Sequence, residues 1–308
     1  MYALISAHPS DPLTGLYAIA GRALLLRQLA WMRTIGVDKT VVAFRSRVPA
    51  KVRALLESDP LGQDAICVGN VATQKPHLIL ERAGLQCRGP VLTIGSSTLG
   101  DADLGESFLV DTIRDVVVTI APPPELAGAA SKAYVRLVRG CALPAFRMQI
   151  SGWGVSLPST RVAALVGEMV LSQAWPLAVH AHQRRPGIWI GRGARVSPRA
   201  KLVAPVYVGR NAVVESDTYL GPGTQLGPRS VVARGAQVSG CVVRSDTVVG
   251  EGVVLHGAEV SPRGASRFAD GGPASLSAGA LRRRSRPRLR PAIVLGLTIV
   301  GLLASLVI

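Results

Sequence analysis

The chain has 308 residues, room for two domains that each bury a core, and a formal net charge of +16. From Ser261 onward there are eight arginines and one acid, Asp270, so +7 of that excess sits at one end. Aromatic residues make up only 4% of the chain, which leaves little to stack bases on and argues against a nucleic-acid partner.

In residues 1–183, strand and helix signals alternate. Tyr2–Ala7 is a short buried strand, and Arg22–Ile35 is a helix with Leu25, Leu29 and Met32 on one stripe, stopped by Gly36. Lys39–Phe44, Ala65–Val68, Val91–Ile94 and Asp115–Ile120 read as further strands, with helices over Ala50–Leu56 and Thr160–Ser172. This alternation predicts an α/β domain with a mostly parallel sheet, whose ligands sit at the carboxyl ends of the strands. The loops to watch are therefore His8–Ala20 and Gly95–Asp103. Cys67, Cys87, Cys141 and Cys241 lack metal-pair spacing and no secretory signal opens the chain, so reduced thiols in a cytosolic setting are expected. His180 and His182, in the connection to the next domain, read as a solvated pair.

Over residues 184–260 the pattern changes to a period of six. Ile190, Val196, Leu202, Val208, Val214, Leu220, Leu226, Val232 and Val238 recur without a miss, a run on the order of 1 in 100,000 by chance. Four residues after each aliphatic comes a small or β-branched residue, from Ala194 and Ala200 to Ala236 and Val242. The register slips by one and resumes at Val243, Val249 and Leu255. Six residues make one short strand and one corner, and three sides close a turn, so a parallel β-helix of about four coils is expected. Gly191, Gly209, Gly221, Gly227 and Gly250 follow an aliphatic directly, where a tight turn is expected. His256, the one histidine in the repeats, has no long loop around it and reads as a solvated corner residue rather than a general base.

Residues 261–291, rich in Ser, Gly, Pro and Arg, read as a flexible basic linker. Residues 292–308 carry no charge, and 11 of these 17 are Val, Ile or Leu. As a helix they span about 25 Å, slightly short of a hydrocarbon core, and insertion of these side chains gains about 4–5 kcal/mol. Arg282, Arg283, Arg284, Arg286, Arg288 and Arg290 precede them, as expected for the cytoplasmic flank of a transmembrane tail anchor facing anionic head groups. The expectation is a membrane-anchored protein with its globular part in the cytoplasm.

A resemblance joins these pieces. Ala3-Leu4-Ile5-Ser6-Ala7, Pro12-Leu13-Thr14, Ile19-Ala20-Gly21-Arg22-Ala23-Leu24-Leu25 and Arg27-Gln28-Leu29 resemble the opening of a sugar-1-phosphate nucleotidylyltransferase, nearest to the mannose-1-phosphate guanylyltransferase-like proteins. Gly187-Ile188-Trp189-Ile190-Gly191 and Pro205-Val206-Tyr207-Val208-Gly209 resemble the start of their β-helix. The likeness covers about 1–45 and 185–260. It implies a Rossmann-like nucleotidyltransferase sheet followed by a left-handed parallel β-helix that serves homo-oligomers or an enzyme partner. It also implies a nucleotide sugar or sugar phosphate as ligand, and Mg²⁺ if the protein is catalytically active. On this likeness Ser6, Ala7, His8, Ser10, Thr14, Arg22, Ser96 and Ser97 are the phosphate- and nucleotide-contacting candidates.

The motifs depart from that pattern. The loop His8-Pro9-Ser10-Asp11 has no glycine or arginine, Pro9 removes an N–H donor, and no lysine lies between Met1 and Val37. Gly95-Ser96-Ser97 stands where the family carries one metal-binding Asp. Gly152-Trp153-Gly154-Val155-Ser156-Leu157-Pro158 resembles the motif that carries the other, yet no carboxylate lies between Ser151 and Thr160. Asp101 and Asp103 remain as metal candidates, though a polar loop tip accounts for them as simply. Three functions stay open: a catalytically impaired binding or scaffolding relative in nucleotide-sugar and surface-polysaccharide biosynthesis, an active enzyme with a rearranged site, and a hexapeptide-repeat acyltransferase.

Overall fold

The computed structural model describes residues 1–7, 16–72, 75–86, 89–100, 114–122, 126, 131–140, 143–150, 154–157, 159–175, 177–270, 272–274, 276 and 280–284. His8, Ser10, Thr14, Asp101, Asp103, Arg286, Arg288, Arg290 and the whole apolar stretch 292–308 lie outside them. Among the described residues no helix is long and apolar enough to cross a membrane.

The head is a mixed α/β unit around one seven-stranded sheet. Its order is Phe146–Ile150, Val116–Ile120, Ala133–Val138, Val91–Gly95, Tyr2–Ser6, Lys39–Ala43, Ala65–Val68. Ala133–Val138 runs antiparallel to both its neighbours, and the other pairs are parallel. The central strand is closed on both faces: Ala3, Leu4 and Ile5 are at most 2% exposed. This is the continuous apolar run expected of a covered parallel strand. Helix Leu24–Thr34 packs Leu25, Leu29 and Met32 into the core with Ile5 and Leu92, as the stripe predicts.

The expected helix start at Arg22 gives way to a hairpin. Ala18–Ile19 pairs antiparallel with Arg22–Ala23, and both turn residues, Ala20 and Gly21, have positive φ, as two-residue hairpin turns require. Other elements of the head were not anticipated either: helix Pro76–Arg82, the 3-10 turn Pro60–Asp64, and strands Thr98–Gly100, Ala133–Val138, Phe146–Ile150 and Gly154–Ser156.

Beyond His182 the chain winds into a three-sided parallel coil, the β-helix-like part. Each strand of its three sheets stacks at first on the one three hexapeptides later, as in Val206↔Thr224, Val213↔Val231 and Tyr219↔Gln237. The inward aliphatics Val208, Leu220, Leu226, Val232 and Val238 are fully buried, and the small residues Ala212, Thr224, Ser230 and Ala236 are sealed beside them.

The turns do not fall at the glycines that follow the aliphatics. Left-handed backbone lies two residues further on, at Gly193, Asn211, Asp217, Gly223, Arg229, Gly235, Asp246 and Gly252. Gly209 and Gly227 instead allow coils to touch. A Cβ at Gly209 would run into the backbone of Leu226–Pro228, and one at Gly227 into that of Val243–Ser245.

The register slip is a five-residue side turning at Gly240, with Cys241 buried where a six-residue side has its fourth residue. It recurs one coil later, between Leu255 and Val260, with Gly257 and Ala258 stacked on Gly240 and Cys241. Coils that include the slip are therefore one residue shorter, as in Val231↔Val248, Gln237↔Val254 and Val242↔Glu259.

The described part of 261–291 is structured, which corrects the expected tether. Gly264–Arg267 folds back antiparallel on Ala258–Ser261, and Leu281–Arg283 runs antiparallel along Thr247–Val249. Ala274, Leu276 and Leu281 pack on the coil core, so apolar burial outweighs the polar composition there. Arg282 and Arg283, expected beside a membrane, belong to that strand. The Arg284 guanidinium donates to the carbonyls of Asn211 and Arg229 at 3.1 Å each and stitches two corners together.

Candidate functional site

Head and coil share a core. Ile19, Leu24, Leu99, Val155, Val162, Val166, Val170 and Trp175 of the head pack with Tyr207 of the coil, and Trp189 packs at the edge. The outward side chains Trp189, Tyr207 and Gln225 stack on one face of the coil, where helix Thr160–Leu171 and the hairpin meet them. Trp189 Nε1 donates to the last carbonyl of that helix, Leu171, at 3.0 Å. Gln225 Oε1 accepts from Ala20 N–H at 3.3 Å, while its Nε2 donates to the Ala164 carbonyl at 3.2 Å. Gly167 leaves room for that amide and Gly21 for the Tyr207 phenol; a Cβ at either would overlap them. Arg244 lies over the Tyr17 ring, 5.8 Å from its centroid.

The carboxyl edge of the sheet, where the fold predicts a ligand, is built from Ser6, Ala7, Gly95, Ser96 and Ser97. Ser96 N–H donates to the Ser6 carbonyl at 2.9 Å and ties the two strand ends together. Gln28, 1% exposed on helix Leu24–Thr34, donates from Nε2 to the carbonyls of Gly95 (2.9 Å) and Thr98 (2.6 Å). Its Oε1 is buried and without a partner among the described residues. The turn after Gly95 is thus held from beneath by one amide side chain.

Strand Thr98–Gly100 then pairs antiparallel with Gly154–Ser156, in the register Thr98↔Ser156 and Gly100↔Gly154. This brings together the two segments that the resemblance pairs as metal-binding motifs. Ser97 Oγ and Ser156 Oγ, one from each segment, lie 3.4 Å apart. Mg²⁺ binds through carboxylates and phosphates with retained water, and two neutral hydroxyls supply no charge to hold it. The described donor set therefore does not fit that ion, and among the described residues no cluster of three or more His, Cys, Asp or Glu forms.

Arg22 is not at this edge. It projects from the hairpin to the head–coil junction, where it donates to His180 Nε2 at 2.9 Å and lies 3.9 Å from Asp59. His180 is therefore engaged rather than freely solvated. Desolvation first, then the Arg22 and Arg27 guanidiniums, hold its pKa below the ordinary imidazole range, consistent with a neutral acceptor ring. Arg27, 7% exposed, donates to the carbonyls of Ile19 (2.8 Å) and Ala178 (3.1 Å), pinning hairpin and connection to the helix. Burial and then Arg22 lower its pKa to about 10.

His182 belongs to strand His182–Arg185, antiparallel to Ile188–Ile190. His256 is exposed at the corner after Leu255, as expected, and its Nδ1 lies 2.7 Å from Ser239 Oγ.

Two features escaped the sequence reading and had a signal there. Trp189, Tyr207 and Gln225 recur once per coil at the same outward position, which marks a covered face. Gln28 is a polar residue within an otherwise buried helical face. A scan against protein-family models finds no match for the chain, and no curated protein matches its sequence.

Proposed function

We infer that this chain is a sugar-nucleotidylyltransferase-like protein in which transfer chemistry has given way to binding or scaffolding. On this reading it serves nucleotide-sugar and surface-polysaccharide biosynthesis at the inner face of a membrane. The coil is the left-handed β-helix of that class and docks a second copy or an enzyme partner, and residues 292–308 form the anchor. The observation that carries the reading is the pair Ser97 and Ser156, 3.4 Å apart where two carboxylates would have to hold a metal. Losing such ligands removes several kcal/mol of transition-state stabilisation while leaving the backbone cradle of the sheet edge in place.

The test supplies the full chain with each nucleoside triphosphate, a panel of sugar 1-phosphates and Mg²⁺. The expected result is no pyrophosphate release above a blank, together with a saturable nucleotide-sugar site at the sheet edge that Ser97→Arg removes. Sustained pyrophosphate release would replace this reading with an active enzyme using Asp101 or Asp103, one and three positions after Gly100 in sequence. An acetyl-coenzyme A thermal shift lost in His256→Ala would instead favour acyl transfer.

A further inference from the structure

The first coil differs from its successors. Ile190, Val196 and Leu202 are only half-buried, whereas their counterparts one coil on, Val208, Val214 and Leu220, are at most 2% exposed. Beside Ile190 opens a cleft of about 590 Å³, within the range of small-molecule sites. Ile190 and Ala181 contribute apolar lining, and His180, His182, Arg184 and Arg192 surround it.

The strand that carries two of these residues is shaped for it. His182 pairs with Ile190 and Gln183 with Trp189, but Arg185 pairs with Ile188. Arg184 is thus left as the extra residue of a bulge, a device that re-aims a side chain.

Positive charge is in excess along the chain that forms this cleft, although Asp59, 3.9 Å from Arg22, also acts on His180. From Met169 to Val214 there are seven Arg and Lys and no carboxylate. Of these only Arg199 has an ion pair among the described residues, with Asp217; further along, arginines are matched, Arg229 with Asp246, Arg234 with Asp217 and Arg244 with Glu259. Arg184 and Arg192 have no ion pair among the described residues, and both are exposed at the cleft. Two guanidinium forks offer bidentate donors to phosphate oxygens. The imidazoles and the Ile190 side chain offer a surface for a flat, weakly polar body.

We propose that the cleft at the mouth of the coil is a binding site for a small phosphorylated molecule bearing a ring, of the nucleoside phosphate class. Arg184 and Arg192 take the phosphate, and Ile190 with the histidine rings takes the ring. The site is separate from the sheet edge and stands whether or not a nucleotide binds there.

The probes are GDP, inorganic phosphate, and vesicles of phosphatidylcholine either alone or mixed with phosphatidylglycerol. They are titrated into the full chain by calorimetry, with histidine ring resonances as a local readout. GDP should bind saturably and more tightly than phosphate. It should shift His180 and His182 but not His77 or His256. Arg184→Ala and Arg192→Ala should each weaken binding about tenfold, and Arg234→Ala, away from the cleft, should not.

Ser97→Arg should leave this binding intact, which separates the cleft from a nucleotide bound at the sheet edge. GDP-induced shifts of His180 and His182 that survive Arg184→Ala with Arg192→Ala, or are lost in Ser97→Arg alone, would overturn the proposal. So would binding to the anionic vesicles without any to GDP, and so would equal affinities for GDP and phosphate, which would remove the ring contact.

Discussion

Gln225→Glu isolates the polar contact between head and coil. The wild-type amide is 4% exposed, accepts from Ala20 N–H and donates to the Ala164 carbonyl. Glutamate keeps the shape and the acceptor but, when ionised, turns a second oxygen toward that carbonyl with water excluded. Leaving such a group unsatisfied costs about 1–3 kcal/mol, and more when it is charged. Protonation restores an O–H donor, so the introduced carboxyl has a raised folded-state pKa. At 1.36 kcal/mol per pKa unit, a penalty of about 2.7 kcal/mol places that pKa about two units above the unfolded value of roughly 4.3.

The sign follows from linkage. An acid with a raised folded pKa binds more protons when folded, so its penalty is complete above that pKa and fades as pH falls toward the unfolded value. The variant should therefore be about 2.7 kcal/mol less stable than wild type at pH 8 and only about 1 kcal/mol less at pH 5. Gln225→Leu should lose a similar amount at both. Urea titration followed by tryptophan fluorescence reads this directly, because Trp175 and Trp189 lie at the seam. Equal stability of Gln225→Glu and wild type at pH 8, or the same loss at both pH values, would refute the reasoning.

Three further outcomes are expected. Ser97→Asp combined with Ser156→Asp should lower the melting temperature through carboxylate repulsion, and millimolar Mg²⁺ should restore it; a melting temperature indifferent to Mg²⁺ would show that the two positions do not converge on an ion. Inserting one alanine after Gly240 or after Gly257 should each cost about 1–3 kcal/mol, whereas both together should cost less than the sum, because the two five-residue sides stack; strict additivity in denaturant titrations would contradict that stacking. The lowered pKa of His180 means that protons prefer the unfolded chain, so its contribution is complete above about pH 6.5 and is lost as pH falls through the lower folded value. Thermal melts at pH 7.5 and 5.5 should show a shallow loss that His180→Gln reduces.

The coil was legible because its period is set by geometry that every repeat must satisfy. Ile190 to Val238 give away the strands, and the slip after Val238 gives away a shortened side. Its turn chemistry was less legible, since Arg229 and Asp217 take left-handed backbone as readily here as Gly235 does. The parallel strands of the head were legible as apolar runs, and Ala65–Val68 is observed within the bounds its sequence suggests. Ala133–Val138 alternates buried and exposed residues plainly, yet its pairing between two strands that precede it depends on the sheet and not on its own pattern. The candidate edge was legible as to place but not as to partners. Ser156 meets Ser97 across 59 positions of sequence, and no local signal encodes that approach. Arg22 was assigned to phosphate by likeness of motif, whereas the Ala20–Gly21 turn carries it toward His180 instead.

A repeat whose coils stack on one another is, as a polymer, unbounded: each finished coil presents the same row of backbone donors and acceptors to the next, whether from its own chain or from another copy. The reversed strands at its ends act as chain terminators. His182–Arg185 lies antiparallel on the first strand of one face, and Gly264–Arg267 lies antiparallel at the far edge of the same face. Leu281–Arg283 closes a second face in the same way. Each replaces the slanted bonding of a parallel pair with an antiparallel ladder, so another copy cannot continue the coil in register. Head-to-tail fibre growth is blocked on these faces by strand direction alone, without a bulky cap.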